Sequence, residues 1–231
     1  MDRLFSILLS ALAVIIGIVV HESAHALAAY VLGDSTARSR GRISLNPLAH
    51  IDPFGTVLLP LLMVLAGGPV FAYAKPVPVY LGNLKNPKRD EVLVALAGPL
   101  SNILVALVAA LVYGVLLGAV LVPGLSAGAL SLGFANGIAS FLVTLMSVNL
   151  SLAFFNLIPL PPLDGSSILV LFLKGEALRT YYEIQRYSMP ILIIVLYLLP
   201  SITGIDLIGW YFDFTVYPLM NALLSLAYGL I

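Results

Sequence analysis

The chain has 231 residues, of which 61% are hydrophobic and only 10% are charged, whereas a typical soluble domain carries about 25% charged residues. Its 11 basic and 11 acidic residues balance, so no basic surface is available for nucleic acid, and we expect none to be bound. The lack of cysteine excludes disulfides and thiolate ligands, so a bound metal ion would need nitrogen and oxygen ligands. This composition predicts a polytopic protein of the lipid bilayer.

The first apolar segment, residues 4–32, follows two charged residues and has the general form of a signal peptide. Cleavage after the triplet at 11–13 would leave too short an apolar core, and the apolar run continues past it to Leu32. We therefore expect a retained helix rather than a removed leader.

Six apolar segments predict an all-α membrane architecture. Polar stretches rich in Pro, Gly and Asn separate them, with no internal repeat and no segment long enough for an accessory soluble domain. We expect residues 1–231 to form a single membrane-embedded domain with about five to six apolar segments. The segments are 4–32, 54–74, 92–122, 130–159, 188–200 and 205–231.

Basic residues gather in three loops, and the positive-inside tendency places all three on the cytoplasmic side. Segment 54–74 must then enter and leave on one face, because a full crossing would separate the first two basic loops. Pro60 and the break at 67–69 permit such a re-entrant piece where protein covers the freed backbone groups. An ordinary kinked span is the alternative. The basic residues lie within 38–42, 75–89 and 174–186.

The sequence patterns of two loop stretches predict an extended backbone. Residues 42–46 alternate polar and apolar side chains, and residues 76–80 contain two prolines that prevent a regular helix. They are predicted either as short strands near the membrane surface or as extended loops. As strands, they could pair with an unwound substrate segment.

A polar cluster interrupts the first span, where His21-Glu22-Ser23-Ala24-His25 has the form H-E-x-x-H. Ionisable groups at membrane depth cost kilocalories each and usually carry function. Positions i and i+4 share a helix face, so both imidazoles can bind one metal ion. Glu22 lies about 100° round the helix and can reach a metal-bound water as general base. The alternative is a polar cluster that only joins helices by hydrogen bonds. Ser, Asn or Gln would do this at a lower free-energy cost of burial.

A catalytic zinc needs three protein ligands, so a third must come from elsewhere in the chain. The candidates are His50, acidic residues in the polar loops, and Asp164, Asp206 and Asp213 beside apolar segments. Asp164 is the best placed, because it follows a long span in a proline-rich stretch that cannot continue a helix. Gly165 would permit a sharp turn after the carboxylate.

The combination of H-E-x-x-H in the first span with N-x-x-P-x-P-x-x-D-G at 156–165 resembles the site-2 protease family of intramembrane zinc metalloproteases. The pairing is far more specific than either motif alone. The resemblance covers about residues 10 to 175 and is to the compact bacterial and archaeal branch without PDZ or CBS domains. Further stretches that carry it are 42–52, 74–79, 86–90 and 97–102.

The resemblance implies that His21, His25 and Asp164 bind one zinc ion per chain and that Glu22 activates the attacking water. It also implies that Asn156 supports the substrate or the oxyanion. A helix-end cap or an interhelical hydrogen bond is the alternative role for this residue.

His50 fits the pattern of this branch but lies outside the family's ligand set, and we interpret it as a structural or gating residue.

The ligand set also constrains the topology. His25 is near the end of the first span, and Asp164 follows the span that ends near 159, so these two ends must lie on the same side of the membrane. Segments 92–122 and 130–159 supply the two crossings, which again requires 54–74 not to cross. The neighbouring basic residues place the zinc toward the cytoplasmic side of the cell membrane.

These observations predict an intramembrane zinc metalloendopeptidase that cleaves transmembrane protein substrates in regulated intramembrane proteolysis. An ion-binding transporter, an inactive membrane scaffold and a metal-dependent hydrolase of lipids or prenylated peptides are the alternatives. The transporter is disfavoured because the sequence has no repeated half. The scaffold is disfavoured because Glu22 and all three proposed ligands are present.

Overall fold

The computed structural model describes residues 3–58, 62, 74–121 and 129–230. Over these ranges the chain is predominantly helical and contains no β-strand, which confirms the predicted all-α class. The α-helices in this part of the chain are α1 (Arg3–Val31), α2 (Thr36–Ser39), α3 (Pro87–Leu121), α4 (Ala129–Asn156), α5 (Gly175–Ile184), α6 (Ser188–Ile193), α7 (Leu199–Thr203), α8 (Leu207–Phe214) and α9 (Val216–Tyr228). Short 3₁₀ or π-helical turns cover Pro47–Ala49, Pro53–Leu58, Leu81–Asn83, Asp164–Leu171, Gln185–Tyr187 and Ile194–Leu198.

Four helical stretches of the described chain are long and apolar enough to cross a bilayer: Leu4–Val31, Pro87–Gly118, Gly133–Asn156 and Gly175–Thr203. The polytopic character is therefore confirmed, with fewer spans than the apolar segments of the sequence indicated. Segment 205–231 is not one continuous helix, because it is divided at Thr215 into α8, with 8 residues, and α9, with 13. Each is shorter than the roughly 20 residues that a spanning helix needs.

Two other expectations concern the loops. Of segment 54–74, the described residues are only the end of the π-helical turn Pro53–Leu58, Leu62 and residue 74, so its predicted re-entrant course lies outside the described residues. Residues 42–46 and 76–80 are loops without strand pairing to any described residue. Of the two alternatives predicted from the sequence, a short strand or an extended loop, the structure shows the loop at 42–46.

Helix α3 begins at Pro87, ahead of the apolar segment predicted from residue 92, because polar residues cap its start. The backbone N–H of Asn86 donates to Oδ2 of Asp90 at 2.8 Å, and the N–H of Asp90 donates to the Asn86 carbonyl at 2.8 Å. Pro87 suits a first helical position, and the carboxylate of Asp90 is favoured at the positive end of the helix dipole.

The chain folds as two compact units, so the single domain expected from sequence stays a prediction. The first unit contains residues 1–17, 100–154 and 208–231. Its core is apolar, with Ala106 and Met146 fully buried, and it encloses a polar link. Nδ2 of the buried Asn102 donates to the Gly17 carbonyl at 3.0 Å and to Oδ1 of Asn149 at 2.8 Å. This link joins α1, α3 and α4 by hydrogen bonds among apolar side chains.

The second unit contains residues 18–99 and 155–207. Within it, Asp34 follows α1 and is fully buried. Its carboxylate accepts hydrogen bonds from the N–H and hydroxyl of Thr36 at 3.0 and 2.5 Å, from the N–H of Tyr80 at 2.7 Å and from Nδ2 of Asn83 at 2.8 Å. Burial raises the pKa of Asp34, but these hydrogen bonds outweigh it and lower the pKa to about 2. The carboxylate thus fixes the end of α1 to the loop that precedes α3.

Replacing Asp34 with Asn is expected to lower the free energy of unfolding by about 2 kcal/mol at neutral pH, because the amide would turn an NH₂ group toward hydrogen-bond donors. The folded-state pKa lies below the unfolded value of about 4, so the contribution of the carboxylate is complete above about pH 4 and is lost as the pH falls through the folded value of about 2. Thermal unfolding in detergent should show a gap between wild type and Asp34→Asn that narrows below pH 4. Equal stability at pH 7 would contradict this role.

Candidate metal centre

The first two candidate ligands lie side by side on α1. His21 and His25 are both buried, and their ring centroids are 4.6 Å apart with the ring planes at 84°. Helix α1 runs through the motif without interruption from Arg3 to Val31. The i, i+4 spacing therefore brings both imidazoles to one face, as the sequence predicts.

Helix α3 packs against this pair and orients it. Nδ1 of His25 lies 2.7 Å from the carbonyl oxygen of Val94. Because a carbonyl only accepts, Nδ1 carries a proton, and in the neutral ring Nε2 then presents a lone pair on the other side. A hydrogen bond of this kind is the usual support for a histidine that binds a metal.

Gly98, four residues after Val94, leaves the space that the two rings occupy. A Cβ atom placed on Gly98 would lie 2.6 Å from Nε2 of His21 and would also overlap Nε2 of His25. Any side chain at this position would displace the imidazoles or α3. Glycine is therefore required here by close approach and not by backbone conformation.

Asp164 reaches the imidazoles from a distant part of the sequence. Helix α4 ends at Asn156, and a loop of tight turns leads to the 3₁₀ helix Asp164–Leu171. The sequence suggested that Gly165 permits a sharp turn, but the φ angle of Gly165 is not positive. Its Cβ would instead overlap the carbonyl of Leu157 and lie 2.8 Å from that of Ile158. Gly165 thus lets the start of the 3₁₀ helix pack directly on the preceding loop.

The three side chains converge on one point. Oδ2 of Asp164 lies 3.0 Å from Nε2 of His21 and 3.4 Å from Nε2 of His25. Ligand atoms around a tetrahedral zinc, each about 2.1 Å from the ion, are roughly 3.4 Å from one another. In the part of the chain that the structure describes, these are the only three His, Asp or Glu side chains with ligand atoms gathered in this way, all within 4.8 Å.

The chemistry of these atoms fits a bound cation. Oδ2 of Asp164 is buried, and it faces Nε2 of His21 and Nε2 of His25; in the neutral His25 ring, Nε2 carries a lone pair on the same side. Two lone pairs at this distance repel each other unless a proton or a cation lies between them. Two imidazole nitrogens and a carboxylate oxygen are the ligands of many catalytic zinc sites, so the three residues fit a zinc ion.

Glu22 follows His21 on α1 and is half-buried. The buried guanidinium group of Arg42 lies near it. Arg42 is only 3% exposed; its guanidinium donates to the carbonyl of Ala49 at 2.6 Å and to the carbonyl of Lys75. Burial lowers the pKa of Arg42, and the charge of Glu22 partly opposes this effect. Sequence reasoning placed Arg42 in a basic cluster and in the motif stretch 42–52, but it assigned the residue no role near Glu22.

His50 lies outside the converging group. Its Nε2 is 2.7 Å from the carbonyl oxygen of Ser44, and the hydroxyl of Ser23 donates to the same oxygen at 2.5 Å. The N–H of Lys75 donates to the His50 carbonyl at 2.9 Å. These contacts fasten loop 42–52 to α1 at the histidine motif, which fits the structural role predicted for His50.

The other candidates occupy different positions. Asn156 is the last residue of α4 and is half-buried at the start of the loop that leads to Asp164. Asp206 and Asp213 are not part of the converging group. The structure therefore brings together His21, His25 and Asp164 out of the wider set that the residues alone left open.

The chain is similar to known proteins that are described as metalloproteases. The profile of peptidase family M50 matches residues 9–199. A Bacillus subtilis protein with the provisional name zinc metalloprotease YwhC is 36% identical over 208 residues, which covers 90% of this chain and 84% of its own length. Rip2 of Mycolicibacterium smegmatis, with the same provisional description, is 32% identical over 197 residues, 84% of this chain and 69% of its own. Rip2 of Mycobacterium tuberculosis strain H37Rv is 27% identical over 201 residues, 86% and 71% of the two chains. No solved structure matches the chain.

Gly98→Ala is expected to remove most of the bound zinc, because the added methyl group would occupy the space of the imidazoles. A Cβ on Gly118 of the same helix would meet nothing within 4 Å, so Gly118→Ala is the matched control and should keep the wild-type zinc content. Zinc per chain, measured on detergent-purified protein, checks the prediction. Equal zinc in the two variants would contradict the packing argument.

Proposed function

This chain belongs to peptidase family M50, the site-2 protease family, and we propose that it is an intramembrane zinc metalloendopeptidase. It hydrolyses peptide bonds within or near the transmembrane segments of membrane-protein substrates. The observation that carries this proposal is the convergence of one carboxylate oxygen and two imidazole nitrogens beside Glu22, on a helix long enough to cross a bilayer.

His21, His25 and Asp164, whose side chains converge, would hold one zinc ion per chain. The hydrogen bond from His25 Nδ1 to the Val94 carbonyl keeps one ring in the tautomer that can bind the metal. Zinc bound there would supply Lewis acidity, which would lower the pKa of water toward about 7 and polarise a peptide carbonyl.

Glu22 moves the proton. Its carboxylate accepts a proton from the attacking water and returns it to the nitrogen of the leaving amine as the carbon–nitrogen bond breaks, so the base is regenerated in each turnover. Asn156, at the end of α4, supports the substrate or the oxyanion.

A transmembrane substrate must unwind locally, because its carbonyls are otherwise occupied in i to i−4 hydrogen bonds. Loop 42–52 would hold such an unwound segment; the hydrogen bond from the Ser23 hydroxyl to the Ser44 carbonyl, which keeps this loop beside the histidine motif, supports this role. Leu45 and Leu48 of this loop are 71% and 77% exposed and offer apolar contacts to a membrane substrate. The basic residues within 38–42, 75–89 and 174–186 favour an orientation with the site toward the cytoplasmic side of the cell membrane.

Glu22→Gln is expected to lower the rate of cleavage by about 10³-fold or more, because the amide cannot accept the proton. The variant should retain zinc, since Glu22 is not among the three converging side chains. Cleavage of a synthetic transmembrane peptide in detergent, read by mass spectrometry, and metal analysis of the same samples check both points. Glu176→Gln, on the exposed side of α5, is the matched control and should cleave at the wild-type rate. Substantial cleavage by Glu22→Gln would overturn the assigned base.

A further inference from the structure

Helix α5 carries two adjacent tyrosines. Their hydroxyl groups donate hydrogen bonds to two different parts of the second unit. Tyr181 is 6% exposed, and its hydroxyl donates to Oγ of Ser166 at 3.1 Å. Tyr182 is half-buried, and its hydroxyl donates to Oε2 of Glu91 at 2.9 Å. Neighbouring positions on a helix point about 100° apart, which allows one helix to reach both partners.

The first hydrogen bond acts on the segment that carries Asp164. Ser166 lies two residues after Asp164 in the same 3₁₀ helix and is 2% exposed. Nε2 of Gln185 donates to the Tyr181 hydroxyl at 3.0 Å, so the tyrosine proton is directed to Ser166 and the bond has a defined direction. The position of Asp164 is therefore coupled to α5 over a very short stretch of chain.

The second hydrogen bond acts on the helix that packs against the histidines. Glu91 lies on α3 one turn before Val94, whose carbonyl accepts from His25. Nζ of Lys88 on the same helix also donates to the carbonyl of Leu173 at 2.7 Å, just after the Asp164 segment. Helix α5 is thus bonded both to the segment of the carboxylate ligand and to the helix that orients the imidazoles.

We propose that Tyr181 and Tyr182 are positioning residues of the metal centre: together they fix the separation between Oδ2 of Asp164 and the two imidazole nitrogens. This inference rests on the proposed zinc site. Without the two hydroxyl groups, the Asp164 segment and α3 remain folded but are no longer held at the spacing that a small cation requires. Zinc tolerates little change in ligand distance, so its affinity reports this spacing directly.

The test uses Tyr181→Phe, Tyr182→Phe and the double variant, which keep the aromatic rings and remove only the hydroxyl groups. Tyr187→Phe is the matched control, because Tyr187 follows on the same stretch and is 66% exposed. Zinc affinity is measured by competition with a chelator on the full chain in detergent. We expect each single variant to bind zinc about three- to tenfold more weakly, the double variant more weakly than either, and the control to match wild type.

Two further readouts separate positioning from general stability. The absorption spectrum of bound Co²⁺ reports ligand geometry and should change in the Tyr181 and Tyr182 variants and not in the Tyr187 variant. Amide hydrogen exchange of residues 164–173 in the zinc-free protein should become faster in Tyr181→Phe. Glu91→Gln keeps a carbonyl oxygen that accepts from Tyr182 and should retain zinc affinity, whereas Glu91→Leu should lose it to the same extent as Tyr182→Phe.

The outcomes distinguish this inference from the function on which it rests. Unchanged zinc affinity and an unchanged Co²⁺ spectrum in the Phe variants, with zinc bound normally by wild type, would overturn the positioning role and leave the proposed function intact. A wild-type chain that binds neither zinc nor Co²⁺ would overturn the proposed function together with the inference. Weaker zinc binding in the Tyr181 and Tyr182 variants with the control unchanged supports both.

Discussion

The facing lone pairs of His25 Nε2 and Asp164 Oδ2 are the constraint on which the rest of this site depends. These atoms are 3.4 Å apart, and Oδ2 is buried, so two lone pairs facing each other here would repel. A proton or a cation between them removes this repulsion, and a cation that also contacts Nε2 of His21 would make three favourable contacts. The chain gains a metal centre only if α1, α3 and the Asp164 segment are held at this spacing.

Small residues and backbone groups provide that spacing. Gly98 lets α3 approach the imidazoles, Gly165 lets the Asp164 segment pack on the loop before it, and the Val94 carbonyl orients His25. Around this frame the buried Arg42 joins two loop segments near Glu22. The metal-binding side chains are thus supported by two glycines and a backbone carbonyl, and by the charged side chain of Arg42.

Sequence reasoning recovered the parts of the site that depend on residue type and spacing. Positions 21 and 25 share a helix face in any α-helix, and the prolines before Asp164 require the chain to leave α4. It could not identify Val94, because any residue supplies a carbonyl, nor the reason for Gly98 and Gly165, because close approach depends on tertiary packing. The break at Thr215 was missed since apolar composition continues across it, and the five-residue alternation at 42–46 did not distinguish a strand from a loop.

Zinc content per chain in wild type, Asp164→Ala and Asp213→Ala tests the central claim most directly. Asp213 is the matched control, because it too is an acidic residue beside an apolar segment, but it lies outside the converging group. The account predicts about one zinc in wild type and in Asp213→Ala, and a large loss in Asp164→Ala, because removal of one of three ligands opens the site. Equal zinc in wild type and Asp164→Ala, or no zinc in any of the three proteins, would contradict it.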